Sequence, residues 1–213
     1  IYYVFGTAGW PTVPDSWTGR PTALWGEGLG YEVSINSDSN TLTITAYIGS
    51  GGNIDIPSSL GGMTVIGIGT LAFSGCSSLT SVAIPDSVTT IENNAFSTCT
   101  NLASISLPDS VTSIADGIFS SCAKLASITI PSGVTNIGNS AFSSCRSLAS
   151  IAIPNSVVRI GDGAFSGCTN LTSATIGSGV TNIGSYAFGS CRSLASIAIP
   201  DGVSSIGSGA FNS

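Results

Sequence analysis

Large apolar residues recur along this chain with a fixed step of 23 positions. Phe73, Phe96, Phe119, Phe142, Phe165, Phe188 and Phe211 lie on one such ladder. Cys76, Cys99, Cys122, Cys145, Cys168 and Cys191 lie on a second, and Leu79, Leu102, Leu125, Leu148, Leu171 and Leu194 on a third. Ile68 begins a fourth that runs through Ile114 and Ile160 to Ile206. No insertion or deletion breaks the register from about Val65 onward. A repeat of this length, in phase at four positions, indicates a solenoid in which each unit is one supersecondary coil.

One unit reads L-x-S-[IV]-x-[IL]-P-x-x-V-x-x-I-x-x-x-A-F-x-x-C-x-x. In the unit from Leu102 to Lys124, residues 103–107 alternate small polar with large apolar side chains, which predicts a half-buried strand. Pro108 ends it, because proline has no N–H for a ladder. Val111 and Ile114 form a second short apolar step, Ile118 and Phe119 close the coil, and Cys122 tucks under the turn. A single unit cannot bury these side chains, but stacked neighbours can. Strands of adjacent coils should then pair as a parallel sheet.

The residues before the repeats follow other rules. Residues 1–30 form an aromatic, Pro/Gly-rich segment with all three tryptophans, Trp10, Trp17 and Trp25. It is expected to be a cap or an inter-block linker. Residues 31–56 read as a hairpin leading into the solenoid, with strands at Tyr31–Ile35 and Thr41–Ile48. Residues 57–213 are the solenoid. Pro57 to Val65 spans more chain than Pro85 to Val88, so a loop or bulge is expected at the junction. The last unit stops at Asn212-Ser213 without a polar capping motif, and an open end is expected there. The chain starts at Ile1 with no Met or signal peptide, which reads as a mature product or a fragment.

Units such as Leu148–Asn170, LASIAIPNSVVRIGDGAFSGCTN, resemble BspA-like leucine-rich repeats of the treponemal type. The resemblance covers about residues 54–213. It implies a right-handed, curved solenoid of 23-residue leucine-rich-repeat coils with a parallel β-sheet on its concave face. It further implies a secreted or surface-attached protein, of the kind bacteria use for adhesion and protein–protein contact, with no catalysis by the repeat itself.

Charge narrows the partners. Only 8% of residues are charged and the net charge is −6, so runs of phosphate would find nothing to neutralise them and a nucleic-acid partner is not expected. No apolar stretch has the length to cross a bilayer. Histidine is absent, which removes the commonest general base and every Ser-His or Cys-His dyad. No catalytic residue, cofactor or metal site is therefore assigned. The six cysteines occur once per coil and never as C-x-x-C, which favours a buried column of free thiols over disulfides or a zinc site. Asp86, Asp109 and Asp201 share the position after the proline, where they read as turn residues capping their own backbone and, more remotely, as weak calcium ligands.

The outward strand positions, such as Ser104, Ser106, Ser150 and Ala152, carry none of the Trp, Tyr or Arg that dominate binding hot spots. Lys124, Arg146 and Arg192, at or beside one repeat position just after the cysteine, are the candidate partner contacts, together with Trp10 and Trp17. The functional expectation is a non-catalytic, extracellular interaction or adhesion module. The alternative is a structural spacer, or a filament subunit that self-associates head to tail through its open end.

Overall fold

A computed structural model describes residues 24–25 and 30–212 of the chain. The 1–30 segment, with Trp10 and Trp17, lies outside the described residues apart from the backbone of 24–25 and Gly30. Among the described residues every regular element is a β-strand.

The strands in chain order are β1 (Leu24–Trp25), β2 (Tyr31–Ile35), β3 (Thr41–Tyr47), β4 (Gly52–Asp55), β5 (Ser59–Leu60), β6 (Met63–Ile68), β7 (Leu79–Ala83) and β8 (Thr90–Ile91). They continue as β9 (Ser104–Ser106), β10 (Ser113–Ile114), β11 (Asn136–Ile137), β12 (Ser150–Ala152), β13 (Arg159–Ile160), β14 (Ser173–Thr175), β15 (Asn182–Ile183) and β16 (Ser205–Ile206). The expected hairpin is present as β2 and β3, paired antiparallel, with β1 added on the outer side of β2. Asp38 forms its turn: Oδ1 accepts from the N–H groups of Asn40 and Thr41, and Oδ2 from the Thr41 hydroxyl. The irregular junction is a short antiparallel pair, β5 with β6, after which β6 pairs parallel with β3 and β8.

From there the chain winds in 23-residue coils with three sides. The first side carries the predicted strand: β7 pairs with β9 and β12 with β14, each in a register that matches residues 23 apart. Where strand assignment lapses, backbone bonds still link the coils, as in Ala126 N–H to Ala103 O and Ala149 N–H to Ala126 O. The second side is the more continuous sheet. It runs β10-β11-β13-β15-β16, all parallel, with Ile114, Ile137, Ile160, Ile183 and Ile206 in register. Its strands are two residues long, too short to show alternation. Of the second apolar step, Ile114 lies in a short strand, Ser113–Ile114, whereas Val111 precedes it outside any strand.

On the third side the backbone bonds run the other way. Phe96 N–H donates forward to Ile118 O, and Phe119, Phe142 and Phe165 donate likewise to Ala141, Ala164 and Ala187. Neighbouring coils are thus tied through their backbones, except that among the described residues the second sheet is interrupted between β8 and β10 and no first-side bond joins residues 195–199 to the coil before. These bonds satisfy groups that could not be left unpaired in an interior.

The core is one continuous column. Phe73 through Phe188 are fully buried, as are Leu79, Leu102, Leu125, Leu148 and Leu171. The rings stack, with centroids 4.8 Å apart between Phe73 and Phe96 and 5.1–5.8 Å through the steps to Phe211. Offset-stacked rings of this kind add attraction beyond the area they bury. At the N-terminal end Tyr47 stacks on Phe73 at 5.2 Å and Tyr31 packs edgewise at 6.3 Å. The hairpin therefore closes the ring column. At the other end Leu194, Ile197, Val203 and Phe211 are only partly buried and Ile206 is half exposed.

Candidate interaction surfaces and the thiol column

Two positions in every coil require left-handed backbone. Leu71, Asn94, Gly117, Ser140, Gly163, Tyr186 and Gly209 all have φ between 53° and 62°. Gly75, Thr98, Ser121, Ser144, Gly167 and Ser190 form a second such set. Glycine adopts this region without a Cβ penalty, and short polar residues tolerate it better than large ones. The two sharp turns flank the phenylalanine and place the cysteine beneath the ring column.

The cysteines are free, and all but the half-buried Cys76 are buried. Each buried thiol donates to the phenylalanine carbonyl of the preceding coil: Cys99 to Phe73 at 3.0 Å, Cys122 to Phe96 and Cys145 to Phe119 at 3.1 Å. Cys168 and Cys191 repeat the bond at 3.2 Å. Burial, with smaller contributions from neighbouring thiols, pushes Cys99 and Cys168 up to about 12, and burial pushes Cys191 to about 11. Burial raises Cys122 and Cys145 as well. A thiol held protonated is neither a nucleophile nor a metal ligand. The five buried cysteines are cross-coil hydrogen-bond donors.

A second ladder lies outside, two residues beyond the isoleucine of the second sheet. Asn93, Asp116, Asn139 and Asp162 alternate amide and carboxylate. Each accepts from the backbone N–H of its successor: Asp116 N–H to Asn93 Oδ1 at 3.2 Å, Asn139 to Asp116 Oδ1 at 2.7 Å, Asp162 to Asn139 Oδ1 at 2.9 Å and Ser185 to Asp162 Oδ1 at 2.7 Å. Glu92 serves the first coil by accepting from the N–H and hydroxyl of Thr70. The post-proline column behaves differently. Asn155 Oδ1 accepts from Ser178 N–H in the next coil at 2.9 Å, whereas Asp86, Asp109 and Asp201 are exposed and make no side-chain bond to their own turns among the described residues. The turn-capping role expected of them is absent, because a backbone bond closes each turn instead, as in Val88 N–H to Pro85 O, Val111 N–H to Pro108 O and Val203 N–H to Pro200 O. Among the described residues no group of three or more His, Cys, Asp or Glu is placed to hold a metal ion.

The exposed surface has three parts. The first sheet presents Ser104, Ser106, Ser127, Thr129, Ser150 and Ala152, all exposed and all small. Along the second sheet a shallow depression of about 360 Å³ is lined by Thr89, Thr90, Glu92, Asn93, Thr112 and Ser113 among others. The turn after the cysteines carries Lys124, Arg146 and Arg192, each exposed. Arg146 and Arg192 occupy the same repeat position two coils apart, and Lys124 sits one position further along its own coil. Tyr186 was not singled out by the sequence pattern. It is 51% exposed at a left-handed φ of 53°, and its ring lies over Gly209 of the next coil. The signal was present: a large aromatic stands where four of the other six coils carry Gly or Ser, the remaining two holding Leu71 and Asn94.

Parallel coils of uniform length, a stacked apolar column and exposed variable turns define the class as a leucine-rich-repeat solenoid. This chain belongs to the BspA-type leucine-rich repeat family, whose model matches residues 49–172 and 135–213 in six copies. Repeats of this kind typically build protein–protein interaction surfaces and are generally non-catalytic. The fold is similar to that of a leucine-rich repeat protein of T. pallidum, with 38% identity over 85% of each chain and a TM-score of 0.80. It is also similar to a leucine rich cell surface protein of Faecalibacterium prausnitzii, at 37% identity over 92% of this chain and a TM-score of 0.77. A third similar structure is a leucine-rich repeat protein of Bacteroides ovatus, at 30% identity over 86% of this chain and a TM-score of 0.82. The chain spans 53% and 49% of the length of the last two. No curated protein matches it closely.

Proposed function

We propose that this chain is a non-catalytic module displayed on a bacterial-type cell surface or secreted, where it presents its turns to a protein partner in adhesion. The observation that carries the reading is the division of labour within the coil. Interior positions repeat almost unchanged and satisfy one another, while large and charged side chains such as Lys124, Arg146, Arg192 and Tyr186 stand on exposed turns. A rigid scaffold with variable exposed loops suits recognition. The cell-surface description of the similar Faecalibacterium prausnitzii protein supports the location. The closed N-terminal end weighs against the filament alternative, since Tyr31 and Tyr47 already occupy the Phe73 face that a second copy would need.

Surface plasmon resonance against a panel of extracellular-matrix and epithelial surface proteins tests the reading. Saturable binding that substitutions in the turns weaken supports it. An absence of saturable binding across the panel, together with concentration-dependent end-to-end assemblies in electron microscopy, would favour the structural alternative.

A further inference from the structure

Charge is sorted around the coil. From Ser77 to Ser193 the two positions after each cysteine include Lys124, Arg146 and Arg192 and hold no acid. These are three of the five cations in a chain of net charge −6. The acids of the repeats stand elsewhere, on the Asn/Asp ladder, beside it at Glu92, and on the post-proline column. An acidic protein that places three of its five cations on one exposed edge, at repeat positions that hold no acid, has an edge complementary to a negative partner. The edge is also geometrically regular. Ring spacings of 5.2 and 5.1 Å across the two intervening steps set the coil rise, so Arg146 and Arg192 are separated by about 10 Å along the axis.

We propose that this edge docks an acidic, extended protein segment in polyproline II conformation, with carboxylates three residues apart. Polyproline II advances about 3.1 Å per residue with three residues per turn, so side chains at i and i+3 share a face about 9 Å apart. That repeat matches two coils. A β-strand places i and i+3 on opposite faces and fits less well. Guanidinium groups bind carboxylates bidentately, which rewards the matched spacing. Lys124, one coil earlier, falls between two carboxylate positions and adds only to the positive field of the edge. This inference rests on the reading of the chain as a protein-binding module and specifies the chemistry of its partner.

The test uses fluorescence anisotropy of the intact protein with labelled (Glu-Pro-Pro)4 peptide. Controls are a peptide of the same composition with glutamates regrouped in adjacent pairs, a (Lys-Pro-Pro)4 peptide and a sulfated oligosaccharide. The in-register peptide should bind in a salt-sensitive manner, and the regrouped peptide at least about fivefold more weakly. The Arg146→Gln/Arg192→Gln variant, both positions being exposed, should keep its circular dichroism spectrum and lose affinity about tenfold or more. Equal binding of the two glutamate peptides, an unaffected double variant, or tighter binding of the sulfated oligosaccharide would overturn the proposal. A protein ligand from the binding panel whose affinity is unchanged in the double variant would also overturn it, while leaving the module reading intact.

Discussion

Asn139 donates its backbone N–H to the Asp116 carboxylate at 2.7 Å, a bond between residues one full coil apart. The Asn139 amide adds a contact to the other oxygen of Asp116 at 3.3 Å, and Asn139 Oδ1 in turn accepts from Asp162 N–H. Side chains on this edge do the work that strand pairing does on the sheets. Asp116→Ala removes the acceptor and leaves a turn N–H to water. The expected loss is about 1 kcal/mol, read as a lower urea midpoint. Asp116→Asn keeps Oδ1 and should recover most of it. Equal loss in the two variants would show that the bond is not the cause.

Phe119 contacts a ring on each side, at 5.8 Å to Phe96 and 5.5 Å to Phe142. Phe119→Ala opens a cavity in the middle of the column and should cost about 3–5 kcal/mol. Phe211→Ala, at a half-buried position with one stacked neighbour, should cost clearly less. Thermal melts of the two variants check the order. Similar destabilisation by both would mean that the rings do not act as a column.

The left-handed positions separate backbone strain from crowding. A Cβ at Gly163 meets Ser140 Oγ at an ordinary 3.5 Å, so Gly163→Ala carries only the φ penalty, about 1–2 kcal/mol. A Cβ at Gly117 meets Asn94 Oδ1, the far end of a side chain that can turn aside, so Gly117→Ala should cost about as much as Gly163→Ala in chemical denaturation. A much larger loss at Gly117 would show that Asn94 is held in place.

Interior positions were legible from the sequence because stacking demands the same side chain in every coil. The Phe, Cys, Leu and Ile ladders are where the 23-residue step places them, and residues 103–107 contain the strand Ser104–Ser106. The hairpin at residues 31–48 was equally plain from its alternation. The second sheet was not read as strands, since two residues such as Ser113–Ile114 carry no period. The Asn93–Asp116–Asn139–Asp162 ladder was missed because its donors are backbone groups 23 residues away, which no local motif displays. Lys124, Arg146 and Arg192 could be placed on one edge by counting. The exposure and left-handed backbone of Tyr186 come from its turn, which only the identity of its repeat position hints at.

The thiol column makes stability fall with rising pH. An unfolded chain loses its thiol protons near pH 8.5, whereas burial holds Cys99 and Cys168 protonated to about 12 and Cys191 to about 11. The native state then binds more protons than the unfolded state, so its advantage declines as pH rises. The contribution is complete below about pH 8 and is lost progressively from there toward pH 11–12. Melting temperatures should drop steadily above pH 9, and less steeply in a variant with Cys99, Cys122, Cys145 and Cys168 changed to Ala. Identical pH profiles for the two proteins would contradict the account.

The stacked coils share one queue of buried, unbridged thiols, and counting reactive thiols at pH 8 without reductant examines that queue directly. Six thiols should titrate in denaturant. In the native protein Cys76, the half-buried member, should react first, with the other five slow. Fewer than six in denaturant, or six reacting at once in the folded protein, would contradict the stacked column.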